Sequence, residues 1–420
     1  VSWLRSRLLP LLTVACLAGY VHAYTGGIAG TPIRSDAFSY FVYLPSWLIF
    51  HDPSLQAVAD DCCGGEFPEF TAMTRWPWTR RWVNPHPIGE AVMIAPFFAA
   101  AHALTRWSNL SPNGFTLYYQ HAAGLAGLAY AVAGLWFVRR LLRRHFSAGV
   151  TDATIVALLF GTSLFHYATF DSTWSHAFSF ALCAALFERC DRWREGNGTG
   201  AALVIGALSG LIVLVRHTNA LIPALLVGTL LVCEPSFRRH AATAIVAGAA
   251  VVFPQLWIYH AATRHWIVGA YAGTPGFSWT QPHVFEVLFG TAKGLFFWAP
   301  LLLAAVGGLL ALPPPLARYR AAIAAALLLD TYLIASWFDW QLGASYGHRG
   351  FVDLYPLLAP GLAVSFAWFA RGPARRRAAA TVVVLLCALS MFQMLQYWHG
   401  LLPMSDITWA QYRSLFLKPW

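Results

Sequence analysis

Charge is scarce in this chain. Asp, Glu, Lys and Arg together make up 11% of its 420 residues, against 58% hydrophobic residues and a mean hydropathy of +0.54. A soluble protein of this length needs far more polar surface, so the composition excludes two or three soluble domains and describes a polytopic membrane protein. A glycine-rich phosphate cradle is lacking, as is any repeat with a period of 20–50 residues, which removes the motif evidence for a nucleotide site or a solenoid. Low complexity is confined to the proline triplet 313–315. Metal-ligand spacing is missing too. Asp60, Asp61, Cys62, Cys63 and Glu66 mix hard and soft ligands without a pattern, so they read as a solvated loop, and no metal or other cofactor is assigned. The seven cysteines lie mostly inside apolar segments as small packing residues. Cys62 and Cys63 stand alone in a polar loop, and sequence neighbours make a poor disulfide. A net charge of +10 would suggest nucleic acid in a soluble protein. Here the arginines form short runs between apolar segments, as orientation signals do, which argues against a nucleic-acid partner.

Apolar segments fall at about 8–25, 87–105, 114–138, 151–168, 172–187, 201–216, 219–234, 241–260, 291–312, 321–338, 351–369 and 378–396. The first is read as an uncleaved span rather than a signal peptide, because residues 21–23 make a weak cleavage site. Between the segments lie Arg5 and Arg7, Arg139 to Arg144, Arg189 to Arg194, Arg238 and Arg239, Arg318 and Arg320, and Arg371 to Arg377, all expected on the cytoplasmic side. If 87–105 crossed the membrane, the run at 139–144 would be forced outside. Residues 88–104 are therefore read as a helix dipping into or lying along the outer face, with a full span and a local violation of the rule as the alternative. The expectation is an all-α polytopic membrane protein with about eleven transmembrane helices, or up to about thirteen. It forms a single membrane domain over 1–420, with interfacial helices in a first external loop at 26–86 and an external interfacial tail at 397–420. The N-terminus is expected in the cytoplasm, and the unexplained polar residues collect outside.

Asp36 opens that external loop. If 36–50 is helical, Asp36, Tyr40, Tyr43 and Trp47 share one face of an interfacial helix. Two readings of the carboxylate compete, a helix N-cap and a general base near the lipid headgroups. Asp52 precedes a proline and reads as a turn residue. Further on, Pro85-His86-Pro87 leads into the dipping helix, with Glu90 one turn after His86. A carboxylate in an apolar run is expensive and thus a functional candidate, against the rival of an ordinary first-turn glutamate. Asp171 lies on an external turn, either capping the next helix or serving the site. Arg216, His217, Lys293, His348 and Arg349 stand at the outer ends of spans, where they either snorkel to headgroups or hold an anionic phosphate. Trp340 and Tyr346 read as interface-belt aromatics or as platforms for a sugar.

This order of parts resembles the GT-C superfamily of integral membrane glycosyltransferases, which includes the protein O-mannosyltransferases and the lipid A aminoarabinose transferase. The resemblance rests on a first span, a large external loop opening with Asp36, the Pro85-His86-Pro87 entry into an apolar helix, and an external Asp171. Lys293-Gly294-Leu295-Phe296-Phe297-Trp298-Ala299-Pro300 and the stretch 337–356 look like motifs of bacterial members. Coverage is essentially the whole chain, although each motif is short. What it implies is a polyprenyl-phosphate-linked sugar as donor, an acceptor hydroxyl on a glycan, lipid or protein, transfer with inversion at the outer face of a bacterial inner or plasma membrane, and Asp36 as the base. Asp171 matches the second acidic site of some members. His86 departs from the lysine that often precedes the family's proline pair, which puts phosphate binding at this position in question. A transporter or flippase for a lipid-linked saccharide is the rival from another class; it predicts repeat symmetry and functional residues at the midplane. A non-catalytic scaffold would give the outer carboxylate and cations no role.

Overall fold

The computed structural model describes residues 7–269 and 274–420, so Arg5 of the first basic run and residues 270–273 of the loop at 261–290 lie outside the described residues. The first half contains α1 (Leu8–Thr25), the short α2 (Asp36–Phe41), α3 (Tyr43–Leu48) and α4 (Gln56–Cys63), then α5 (Gly89–Arg106), α6 (Leu117–Arg143), α7 (Ala148–Phe160), α8 (Leu164–Thr169) and α9 (Ser175–Asp191). The second half contains α10 (Thr199–Val215), α11 (Leu221–Cys233), α12 (Ala241–Thr263), α13 (Val284–Phe289), α14 (Leu301–Gly308), α15 (Arg320–Ser336), α16 (Tyr355–Phe369), α17 (Pro373–Trp398) and α18 (Trp409–Leu415). One hairpin, β1 (Thr74–Arg75) antiparallel to β2 (Trp82–Val83), is the only sheet among the described residues. The fold is all-α and polytopic.

Among the described residues, five helical stretches are long and apolar enough to cross a membrane: α1, α6, α12, α17 and Arg349–Phe369, which ends in α16. Shorter apolar helices occur at Ala148–Phe160, Thr199–Val215, His217–Cys233 and Leu301–Ala311. The expected figure of about eleven is reached only by counting these together with α9 and α15. At the centre stands α9, in which every residue but Arg189 is buried. Helices surround it on all sides, so it shows no polar stripe. Its 17 residues rise about 25 Å and give the molecule two ends. Ser175, at the start, faces a polar cavity, whereas Asp191, at the finish, pairs with Arg144 just beyond α6.

The 88–104 segment forms α5, which runs antiparallel to α6. Tyr130 donates to the Met93 carbonyl at 3.2 Å, and the His102 ring meets the Tyr119 hydroxyl at 2.6 Å. As α5 advances it therefore passes earlier residues of α6 and leads away from the arginine end. Two glycines set the cavity end. A Cβ on Gly89 would strike the Leu214–Val215 backbone, and one on Gly127 would strike the Ser172 carbonyl. Those contacts bring the start of α5 against the end of α10, and α6 against the turn before α9. Elsewhere α10 and α12 pack through Gly206 and Gly210 against Ala244 and Gly248, the small-residue seam that lets membrane helices approach closely.

One expectation is corrected in the first loop. Cys62 and Cys63 are joined as a disulfide between sequence neighbours, with Cα atoms 3.8 Å apart. They are the last two residues of α4, and Gly64 (φ 66°) follows them at its C-terminal end. The patch expected as a plain loop is thus partly helical.

Candidate active site

The aromatic run after Ser35 folds as α2 and α3, joined at Val42, whose backbone is itself helical (φ −56°, ψ −25°). The shared face expected of Asp36, Tyr40 and Tyr43 turns inward onto the 84–87 segment rather than toward lipid. Tyr40 packs edge-on to the His86 ring with centroids 4.7 Å apart, and the Tyr43 hydroxyl donates to the His86 carbonyl at 2.8 Å. Asn84 completes the junction by donating to the Ser39 carbonyl at 2.6 Å. Ser35, at the N-cap position, makes no side-chain capping bond, and Asp36 has another partner. Its Oδ2 lies 3.0 Å from Arg349 Nη1, and its side chain keeps 31% of its surface exposed.

That exposed face opens into a cavity of about 270 Å³. Asp36, Tyr40, His86, Ser175, His176, Arg216, His217 and Arg349 are among the residues that line it. Arg349 lies over the Trp174 ring, 4.6 Å from its centroid, a cation–π contact that adds to its ion pair with Asp36. Arg216 Nη1 comes within 3.1 and 3.2 Å of the His176 ring nitrogens, and its Nε is 3.4 Å from Asp353 Oδ2. Beneath it, buried Asp353 also accepts from Asn219 Nδ2 at 2.9 Å. Arg216 is thus aimed into the cavity by a carboxylate behind it.

Burial would raise the Asp36 carboxyl. The neighbouring charge of Arg349, supported by His86, His176 and Arg216, outweighs this and holds it below the usual carboxylate range. Burial lowers His86 to about 4, with Arg349 and Arg216 assisting against Asp36. At neutral pH the cavity therefore presents an ionised Asp36 and a neutral His86 imidazole beside the Arg216 and Arg349 guanidiniums. Glu90 lies fully buried on the first turn of α5, and neither of its oxygens has a hydrogen-bond partner among the described residues.

Asp171 is placed differently. Its Oδ1 lies 2.6 Å from Arg34 Nη2 and its Oδ2 is 2.7 Å from His166 Nε2. Trp398 donates its indole N–H to His166 Nδ1 at 2.9 Å, so that nitrogen accepts and Nε2 carries the proton given to Asp171. The result is a clasp joining the first loop, the turn before α9 and the end of α17. It stands behind the cavity and connects to it through Arg34, two residues before Asp36.

Of the other expected site residues, Lys293 is buried outside the cavity, its ammonium donating to the carbonyls of Ser345 and of Met404, the latter at 2.8 Å. His348 is buried against Phe351. Trp340 stacks on His283, and Tyr346 donates to the Ser390 carbonyl at 2.8 Å. Tyr43 opens onto a second cavity, of about 580 Å³, beside the first. Sequence reasoning missed Arg34, His176, Asn219 and Asp353. The available signal was a polar residue inside an otherwise apolar stretch, as at Asp353; their pairings have none.

These features define a polytopic all-α membrane protein with a cavity lined by Asp36, Arg216 and Arg349. No protein-family model and no curated protein matches the chain. Among solved structures it is similar to the crystal structure of ArnT from Cupriavidus metallidurans in the apo state, with 14% identity and a TM-score of 0.56. The match covers 92% of this chain and 64% of that one, so the chain spans somewhat less than two thirds of the length of the structure it resembles. The likeness establishes a common fold.

Proposed function

We propose that this chain is a membrane glycosyltransferase of the GT-C type. It moves a sugar from a polyprenyl-phosphate donor to an acceptor hydroxyl on the outer side of the membrane, with inversion, and Asp36 is the general base. The observation that carries this reading is the half-open Asp36 carboxylate, paired with Arg349 and sharing one cavity with Arg216. The fold shared with ArnT, the lipid A aminoarabinose transferase, supports it.

The donor phosphate sits between Arg216 and Arg349, with the His86 and His217 rings as further hydrogen-bonding groups. As the bond from the anomeric carbon to the phosphate oxygen breaks, its electron pair leaves on the polyprenyl phosphate. The two guanidiniums hold that growing charge more tightly in the transition state than in the ground state. The acceptor oxygen forms the new bond from the opposite face of the sugar and gives its proton to Asp36. A carboxylate held below its normal pKa is a weak base at rest. Donor phosphate competes for Arg349 and relieves that hold, so Asp36 gains basicity when the donor is in place. This division of labour needs no metal, and none is assigned.

Asp171 acts in this scheme as a positioning residue, because it holds Arg34 and thereby the turn that presents Asp36. The test is transfer in reconstituted vesicles with polyprenyl-phosphate sugars, guided by lipid and glycan profiling of a strain lacking the protein. Asp36→Asn must lose turnover while still binding donor lipid. Retained turnover removes the base assignment, and an unchanged lipid and glycan profile removes the glycosyltransferase reading.

A further inference from the structure

The end of the molecule opposite the candidate active site has a cavity of its own, of about 220 Å³, between the ends of α6 and α9. On α6, Trp136, Arg139, Arg140 and Arg143 recur at helical spacing and share one face. Glu188 and Arg192 close the other side from the end of α9 and the turn after it. Arg140 lies over the Trp136 ring at 4.5 Å and is 3.0 Å from Glu188; Arg139 is 2.9 Å from Asp152. Arg143 is exposed and has no carboxylate paired with it among the described residues. α6 is apolar enough to cross a membrane, and Trp136 is 40% exposed one turn before the basic residues. An exposed indole beside a fan of guanidiniums marks the level where hydrocarbon gives way to headgroups.

We propose that this trough binds the phosphodiester headgroup of an anionic phospholipid. Arginine forks match phosphate oxygens, and a headgroup of net negative charge, unlike a zwitterionic one that brings its own cation, leaves that charge for the arginines to neutralise. The cavity admits one phosphodiester, and Trp136 lies where the first carbons of the acyl chains would pass. Because α9 runs from this trough to Ser175 in the active-site cavity, a lipid seated here also braces the far end of the helix on which the site is built.

The purified full-length protein, released from detergent micelles, is measured by native mass spectrometry with dioleoyl phosphatidylglycerol and dioleoyl phosphatidylcholine, in wild type, Arg143→Ala and Arg143→Glu. Arg143 is exposed and packs against no core, so both variants are expected to fold. Wild type retains phosphatidylglycerol in preference to phosphatidylcholine. Removing one interfacial arginine lowers that preference about fivefold, and the charge reversal lowers it further. Equal retention of the two lipids overturns the proposal, as does unchanged retention in Arg143→Glu. Displacement of phosphatidylglycerol by millimolar inorganic phosphate overturns the lipid as the natural source of the anion.

Discussion

Asp36 and Asp171 look alike in the sequence, each an aspartate beside aromatic residues and expected on the outer side, yet the fold treats them oppositely. Asp171 is buried and engaged on both oxygens, by Arg34 at 2.6 Å and His166 at 2.7 Å. Asp36 has one ion pair, keeps nearly a third of its side-chain surface, and shares a cavity with a second arginine. A carboxylate that is buried with a partner on each oxygen can hold structure but presents no open face to a substrate. One with a free face, and an arginine that an incoming anion can draw away, can accept a proton. The two are not independent, since Arg34 lies two residues before Asp36.

The largest effect that would separate them is chemical. Asp36→Asn is expected to lower turnover about a thousandfold, the usual range for removing a general base, with little change in unfolding midpoint or donor-lipid affinity. A midpoint that falls with turnover would mean that Asp36 is structural and would erase the contrast.

Asp171→Asn should reverse the pattern. Breaking a buried ion pair from one side costs about 3 kcal/mol, so the midpoint should fall clearly and turnover only in part. Acid should act likewise on the clasp. Burial pushes the Asp171 carboxyl up, but Arg34 and His166 prevail and hold it below its ordinary value. Its contribution is therefore present above the unfolded carboxylate pKa and is lost as pH falls through the lower folded one. Thermal melts across pH 3 to 6 should show that loss in wild type and a flatter profile in Asp171→Asn.

A smaller and sharper effect concerns Arg349. It is the largest of the influences that depress Asp36 against burial. Arg349→Ala should therefore move the acidic limb of the kcat/KM profile toward higher pH, besides weakening donor binding. An unshifted limb would mean that the titration belongs to another group.

Much of this contrast was legible beforehand, and the limit has a physical cause. Composition made any carboxylate in an apolar chain conspicuous, and the 36, 40, 43 spacing put those side chains on one helical face, because helical periodicity is local; that this face packs on residues 84–87 came only with the fold. Arg216 and Arg349 were visible as cations at helix ends. What escaped was pairing across long separations. Nothing near Asp171 in sequence announces Arg34, 137 positions earlier, or the Trp398 indole behind His166. Asp353 reads as one more acid in an apolar stretch until the fold sets it under Arg216.

Lys293 yields the smallest effect and the strictest test of what counts as a site cation. As a lysine at the outer end of a helical stretch it belongs, by sequence, with Arg216 and Arg349. In the structure it sits in the turn before α14 with its ammonium spent on two backbone carbonyls. Lys293→Met should therefore leave donor affinity within about twofold, whereas Arg216→Ala should weaken it at least tenfold, the size of a lost charge-assisted contact. Burial, aided by Arg349, lowers Lys293 from its ordinary 10.5 to about 7. Between those values the unfolded chain binds a proton that the folded chain has released, so stability should rise with pH across that window. The Met variant should lose that slope. If it keeps the slope and loses donor affinity instead, Lys293 belongs with the cavity, and the line drawn between binding cations and bracing ones has to move.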